Sequence, residues 1–158
     1  MRILACDSGV ERTGYAVLDT DKKNVFLTEY NCIFTHKSKP LTKRLEELSI
    51  KLNELIEQYS PEIIVIEKLF FTNNQTTGIM VAQAQGVLLM LAGKYDIKVE
   101  FLTPTQIKHT VTGYGKSDKK GIQKMLRLLL NLETDPQPDD VTDAIACGYA
   151  YCTINKLI

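Results

Sequence analysis

Four acidic residues stand at positions where a carboxylate is unfavourable unless positive charge lies beside it. Asp7 ends the apolar run ILACD, and Glu67 ends the apolar run IIVIE. Asp140 and Asp143 fall at the predicted start of a helix. An ionised carboxylate in apolar surroundings loses its hydration, and no basic residue is adjacent to Asp7 in the sequence. The pattern therefore predicts that metal ions neutralise these acids.

The residue types indicate which metal and which chemistry. Carboxylate oxygens without histidine or cysteine favour Mg²⁺, or Mn²⁺ in its place, over zinc. Two such ions held together are suited to phosphodiester hydrolysis, because one activates a water molecule and the other stabilises the leaving oxygen. Asp140 and Asp143 are three residues apart, so on a helix they share one face, and the dipole at a helix start favours negative charge.

Three of the four acids also have a purely structural interpretation. Aspartate at a turn or at a helix start is typical of turn and capping chemistry, which covers Asp7, Asp140 and Asp143 when each is taken alone. Glu67 closes a β-branched strand, where it has no cap or turn role. The ordered set of Asp, Glu and Asp-x-x-Asp is much more specific than any one member, and it favours the metal site.

The composition predicts a cytoplasmic protein that has no membrane segment. The chain has 158 residues, which is the size of a single domain spanning 1–158. Its four cysteines show no CxxC spacing, which indicates reduced core thiols rather than a zinc site. We expect neither a signal peptide nor a membrane helix, because no apolar run reaches ~18 residues.

The formal net charge of +0 argues against binding nucleic acid through bulk charge, but the charge is unevenly distributed. Six basic residues and one acid lie in 108–127, whereas 133–143 holds five acids and no base. Lysines on such a stretch are by default a solvated helix face. Their clustering around a glycine-rich loop favours phosphate contacts for Lys108, Lys116 and Lys119.

The hydrophobic pattern predicts strands and helices that alternate after an initial run of three strands. The strands are predicted at 2–6, 15–19, 24–35, 63–67 and 98–102. The helices are predicted at 41–59, 75–95, 103–113, 118–131 and 140–155. Short gaps make the first three strands an antiparallel meander, and the strand-helix-strand unit that follows makes a parallel pair.

This order predicts an α/β fold with a mixed five-stranded sheet, three antiparallel strands plus two parallel, and helices on both faces. In such sheets, binding sites form beyond the carboxyl ends of parallel strands. If the first and fourth strands are neighbours, Asp7 and Glu67 face one crevice. Phe70 and Phe71, which follow Glu67, are either core residues or, for at least one of them, an aromatic that stacks on an unpaired base.

The chain resembles the RuvC Holliday-junction resolvases of the RNase H-like nuclease superfamily, from Met1 through about Tyr151. The matching stretches, in the same order and at the same intervals, are RILACDSGVERTGYAVL, PEIIVIEKLFF with the following asparagines, VAQAQGVLL, TPTQIKHTVTGYGKSDKKGIQKM and PDDVTDAIACGYA. The resemblance implies an RNase H-like fold and a homodimer that nicks two symmetric strands of a four-way DNA junction.

The resemblance also implies residue roles and partners. It implies catalytic, metal-binding acids at Asp7, Glu67, Asp140 and Asp143. It implies DNA contacts at Phe70, Asn74, Lys108 and Lys119. The helix after Glu67 would form the dimer interface, a two-fold arrangement that suits a nearly two-fold substrate. The RuvA and RuvB branch-migration proteins would be partners.

Two departures from the family pattern stand near these motifs. Ser8 replaces the usual proline after the first Asp, so the loop that holds Asp7 is expected to be less constrained. Gln85 replaces the usual arginine of the helix motif, which removes a charge expected at or near the dimer and DNA surface. Asp139 beside Asp140 leaves the helix-start ligand ambiguous by one residue, and the three-residue spacing to Asp143 favours Asp140.

Two other functions remain open at this point. One is a catalytically weak dimer that binds junctions, suggested by Ser8, Gln85 and the zero net charge. The other is an ATP-binding domain of the actin and sugar-kinase type, whose first hairpin resembles DSGVERTGYAV. The second normally needs a similar second half, and it gives no reason for Asp140 and Asp143.

Overall fold

A computed structural model describes residues 1–21, 23–69 and 75–158. Its strands are β1 (Arg2–Asp7), β2 (Arg12–Thr20), β3 (Val25–Phe34), β4 (Ile63–Glu67) and β5 (Lys98–Leu102). Its helices are α1 (Leu41–Tyr59), α2 (Gln75–Lys94), α3 (Pro104–Thr112), α4 (Lys119–Leu130) and α5 (Asp139–Ile154).

The strands form one sheet in the order β3-β2-β1-β4-β5. The pairs β1-β2 and β2-β3 are antiparallel, and the pairs β1-β4 and β4-β5 are parallel. The predicted mixed sheet is confirmed. So is the condition on which the shared crevice depends, because β1 and β4 are hydrogen-bonded neighbours at the centre of the sheet.

Helices cover both faces of the sheet, which explains why β4 is apolar at every position before Glu67. Ile63 and Val65 pack into one core with residues of α3, α4 and α5. Ile64 and Ile66 point to the other face and pack with residues of α1 and α2. None of these side chains is more than 1% exposed, so each face of the strand gains hydrophobic stabilisation.

Capping residues set the starts of the helices near the crevice. Thr103 accepts a hydrogen bond from the Gln106 backbone N–H at the start of α3, with Pro104 at the first helical position as predicted. Asp118 caps α4 by accepting from the Gly121 N–H. Helix α5 begins one residue earlier than predicted, at Asp139, because the backbone of Pro138 takes the cap position.

The predicted start of the second strand is wrong. Strand β2 begins at Arg12, three residues before the predicted start, because β3 extends to Phe34 and pairs with it. Gly14 therefore lies inside a strand, where a glycine interrupts the hydrophobic pattern.

Helix α2 is apolar on more than one side. Ala84, Leu88 and Leu91 pack into the core beneath the sheet, whereas Leu89 and Met90 are exposed. By length and composition alone, Thr76–Lys94 is the one helix in the described parts of the chain that could cross a membrane. Core helices of soluble proteins pass the same test, so this is weak evidence for a membrane segment.

Candidate active site

Asp7 and Glu67 lie side by side at the ends of the two central parallel strands. The register pairs Cys6 with Ile66, so the next residue on each strand is one of these acids. Parallel strands end at the same edge of a sheet, which brings both carboxylates to one crevice, as expected.

Two glycines allow α5 to approach the sheet closely and bring its acids to the same crevice. A Cβ atom on Gly14 would lie 2.0 Å from the carbonyl oxygen of Asp140, so the helix start occupies the space of the missing side chain. Gly14 is the β2 partner of Asp7. Further along α5, a Cβ on Gly148 would lie 2.3 Å from Leu18 Cδ1. The first turn of α5 is thereby held beside Asp7.

The pKa shifts indicate that the acids form one electrostatic cluster. Burial, followed by the charges of Asp143, Glu67 and Asp140, raises the pKa of Asp7 from 3.8 to about 7. Burial and then the Asp143 charge raise the pKa of Glu67, opposed by Lys108 and Lys119. Burial also raises the pKa of Asp143, again opposed by Lys119. The carboxylates are thus close enough that ionisation of one makes ionisation of the others less favourable.

Two basic side chains contact the acids on α5. Lys119 Nζ lies 3.3 Å from Asp139 Oδ2 and 3.4 Å from Asp143 Oδ2. Arg12 Nε lies 3.2 Å from Asp140 Oδ2, but this buried oxygen accepts no hydrogen bond. Arg12 was not among the predicted site residues. Local sequence carries no signal for it, because it reaches Asp140 only when α5 rests on Gly14.

The crevice has two hollows that share Glu67. One, of about 260 Å³, is lined by Asp7, Ser8 and Gln85 among others. The other, of about 180 Å³, is lined by Lys108, Lys119 and Asp143 among others. Two of the three lysines proposed as phosphate contacts therefore lie where the acids meet.

Of the remaining predicted contacts, the structure describes only Lys116. Lys116 is exposed in the loop between α3 and α4, and it makes no ion pair with an acid in the described parts of the chain. Phe70, Phe71 and Asn74 lie outside the described residues, so their contacts stay predictions.

Gln85 is largely buried, and it lines the crevice beside Asp7 and Ser8. Its side chain is 8% exposed, and its Nε2 donates a hydrogen bond of 2.9 Å to the backbone carbonyl of Glu67. Strand β4 pairs with β1 only as far as Ile66, so this carbonyl lies just past the end of that ladder. Gln85 thus connects α2 to the end of the strand that carries Glu67, and the expected loss of a charge near the dimer and DNA surface stays a prediction.

Hydrogen bonds constrain the loop that follows Asp7, although it has no proline after that residue. Ser8 is buried, and its Oγ has no hydrogen-bond partner. The Thr13 hydroxyl donates to the Gly9 carbonyl at 2.7 Å and accepts from the Gly9 N–H at 3.4 Å. Buried Thr13 therefore supplies a constraint that the expectation of a looser loop did not include.

The donors fit a hard divalent cation. They are carboxylate oxygens, one of them buried without a hydrogen-bond donor, and their mutual repulsion would fall if a cation entered. As the side chains stand, no group of three or more His, Cys, Asp or Glu residues in the described ranges forms a closed metal site. Lys119 and Arg12 contact oxygens of Asp143 and Asp140 instead.

A mixed five-stranded sheet with acids at two adjacent strand ends and on a helix packed against them defines the RNase H-like class of nucleases. Within that class, the family model described as "Crossover junction endodeoxyribonuclease RuvC" matches residues 3–151. The chain belongs to this RuvC family. Membership makes it a nuclease of a family that depends on divalent metal ions, and it removes the basis for the ATP-binding alternative.

Relatives match over nearly the whole chain. The RuvC of Petrotoga mobilis is 45% identical over 152 residues, which cover 96% of this chain and 93% of that protein. The RuvC of Alkaliphilus metalliredigens is 39% identical over 151 residues, which cover 96% of this chain and 92% of that protein. Thermus thermophilus RuvC, solved in complex with a Holliday junction substrate, matches with a TM-score of 0.93 over 99% of this chain and 96% of that chain. At 23% identity, that structure shows the shared fold.

Proposed function

We propose that this protein resolves four-way (Holliday) DNA junctions in recombination and repair by making paired, symmetric nicks with the help of Mg²⁺. The supporting observation is the meeting of Asp7, Glu67 and the α5 acids at one sheet edge, in a chain of the RuvC family. Mn²⁺ can substitute, because the same oxygen ligands suit both ions.

Asp7, Glu67, Asp140 and Asp143 would hold the metal. When bound, divalent ions would supply an activated water and charge for the leaving oxygen. The raised pKa of Asp7, about 7, means that this carboxyl gives up its proton as it becomes a ligand. Asp140 Oδ2 lies 3.2 Å from Arg12 Nε but accepts no hydrogen bond within the described residues, so it would be available as a metal ligand.

The basic residues would bind the DNA backbone. Lys108 and Lys119 line the hollow beside Glu67 and would contact phosphates next to the scissile bond. Lys116 would contact the backbone further away. We retain Phe70 as the aromatic that stacks on a base and Asn74 as a neighbouring polar contact.

A homodimer would present two such sites to one junction. Helix α2 exposes Ile79, Leu89 and Met90, an apolar surface beyond what its own core uses. A two-fold interface built on this surface would suit a substrate with near two-fold symmetry. We further propose a single domain over 1–158, a cytoplasmic location without membrane attachment, and action alongside RuvA and RuvB.

Cleavage of a labelled mobile four-way junction tests the proposal. With Mg²⁺ or Mn²⁺, the wild-type protein should give paired nicks at symmetric positions. Glu67→Gln should abolish cleavage yet still bind the junction, because it weakens a metal ligand and leaves the proposed DNA contacts. Glu54→Gln, the same change on exposed α1, is the control. Binding without nicks by the wild-type protein would favour the catalytically weak alternative.

Sedimentation tests the dimer separately. Met90→Lys places a charge on the exposed face of α2 and should shift the protein towards monomer. Ile50→Lys is a matched change on α1, since Ile50 is 52% exposed and Met90 is 58% exposed. Equal sedimentation of the wild type and both variants would contradict an interface on α2.

A further inference from the structure

A second groove lies beside Arg12, the residue that contacts Asp140. It lies between the start of β2, the end of β3 and the segment leading to α1, and its volume is about 610 Å³. Its lining includes Arg12, Phe34, Thr35, His36, Lys37 and Lys39, together with the acids Glu11 and Glu47.

Arg12 joins this groove to the acids. It lines the groove, and its Nε lies 3.2 Å from Asp140 Oδ2. Its side chain is half exposed, so the guanidinium is accessible to a ligand while it contacts Asp140. Arg12 therefore lies both at the acids and in the groove.

A buried guanidinium lies behind the groove wall. Arg44 is 7% exposed, and Nε donates a hydrogen bond of 2.9 Å to Thr35 Oγ1. Its Nη2 is buried and has no hydrogen-bond partner, and no carboxylate in the described ranges lies within 4.0 Å of Arg44. Arginine stays charged, and a buried charge is normally paired. Within the described residues, Arg44 thus places beside Thr35 a positive charge that has no carboxylate in direct contact.

The rim adds further cations that can exchange partners. Lys37 pairs with Glu11 at 3.1 Å, and Lys39 pairs with Glu47. Exposed ion pairs of this kind contribute little stability, so phosphates can compete for the lysines. Because Arg44 has no acidic partner, the groove keeps excess positive charge even with both pairs formed.

Phe34 supplies an aromatic surface beside these cations. It ends β3 and is 62% exposed, which is unfavourable for a large apolar side chain in water. Basic grooves with exposed aromatic rings are typical of surfaces that bind unpaired nucleotides, because bases stack on the ring while cations follow the backbone.

We propose that this groove binds the DNA strand that leaves the acids on the Asp140 side, with phosphates at Arg12, Lys37 and Lys39 and a base stacked on Phe34. The inference rests on the proposed function, and it adds a DNA surface that the motifs of the chain did not indicate. The strand would then be held on both sides of the reacting bond, by Lys108 and Lys119 on one side and by this groove on the other.

Fluorescence anisotropy with a labelled four-way junction in EDTA tests the groove without cleavage. Phe34→Ala should raise the Kd about tenfold, the loss expected for one stacked base. The double variant Lys37→Gln, Lys39→Gln should weaken binding. It should also make the negative slope of log K against log salt less steep by about two. Both changes are at exposed side chains, and thermal unfolding checks that the variants fold.

Matched changes on α1 provide the control. Ile50→Ala and Lys51→Gln alter an exposed apolar and an exposed paired lysine outside the groove, and should leave the Kd and salt slope at wild-type values. Wild-type affinity and slope in the groove variants would overturn the inference while leaving the proposed function intact. If the wild-type protein bound no junction at all, both would be overturned.

Discussion

Asp7 and Glu67 are placed by the sheet, whereas Asp140 and Asp143 are placed by a helix that rests on the sheet. The first two follow directly from strand pairing, since β1 and β4 end together. The second two depend on how closely α5 approaches β2, which Gly14 permits. One half of the site is therefore set by backbone hydrogen bonds and the other half by packing.

The two halves also differ in how their charge is balanced. Asp140 and Asp143 contact Arg12 and Lys119, but neither Asp7 nor Glu67 has an ion pair in the described parts of the chain. Burial is the first cause of the raised pKa of both strand-end acids. Burial raises the pKa of Asp143 as well, so the two halves differ mainly in that Asp140 and Asp143 already contact cations, whereas Asp7, with a pKa of about 7, does not.

Gly14→Ala should have the largest effect, because it disturbs the packing of α5 on β2 that places Asp140 and Asp143. The new Cβ would meet the Asp140 backbone at 2.0 Å, so the start of α5 must move. We expect a loss of about 3 kcal/mol in the free energy of unfolding, measured by urea denaturation, and loss of cleavage. Gly93→Ala, where a Cβ meets nothing within 4 Å, should instead stabilise by about 0.5 kcal/mol. Cleavage by Gly14→Ala at the wild-type rate would show that close docking is not required.

The pH dependence of stability tests the strain in the sheet half. In the folded metal-free protein the pKa of Asp7 is raised from 3.8 to about 7. Its stabilising contribution is therefore complete below pH 3.8 and is lost as the pH rises through about 7. In EDTA, we expect the free energy of unfolding to fall by about 4 kcal/mol over this range and Asp7→Asn to remove most of that fall.

Asp143→Asn sharpens the same comparison. Its carboxylate contacts Lys119, so neutralising it should give a smaller gain at pH 8 than Asp7→Asn gives. Urea denaturation across the pH range measures both variants. Equal gains would contradict the proposed difference in charge balance between the two halves.

Gln85→Leu tests the link from α2 to the strand end. Loss of the hydrogen bond to the Glu67 carbonyl should lower the unfolding free energy by about 1 kcal/mol and cleavage about tenfold. Mn²⁺ binding, measured by calorimetry, should weaken as well. Gln85→Arg keeps a hydrogen-bond donor, so it should retain cleavage and Mn²⁺ binding. Gln58→Leu on exposed α1 is the control. A loss of stability with full activity and metal affinity would reduce Gln85 to a structural residue.

The smallest effect is expected at Lys116. It lies away from the acids, so Lys116→Gln should raise the Kd for junction DNA only about twofold, while Lys119→Gln should raise it about tenfold. Anisotropy at fixed salt measures both. Equal losses of affinity in the two variants would mean that the DNA backbone contacts the α3–α4 loop as closely as it contacts the region of the acids.

The order and type of the elements could be predicted because buried strands and amphipathic helices leave strong periodic patterns. The start of β2 could not, because Gly14 breaks the pattern for a reason that lies on α5. The four acids could be selected as a set, and their placement at one crevice agrees with that selection. The partners Arg12 and Gln85 could not, since each reaches its acid only through tertiary contact.

The sequence by itself determined the fold class through the periodic patterns of its elements and the family through motifs in a fixed order. It also selected the four acids, because apolar runs that end in a carboxylate are unfavourable unless a cation lies nearby. The tertiary structure decided which side chains contact these acids and the strand end beside them. Only packing brings Arg12 to Asp140 and Gln85 to the Glu67 carbonyl, and only packing buries Arg44 with no ion pair to a carboxylate of the described residues. These contacts join residues far apart in the chain, so their energies depend on distances that local sequence does not encode.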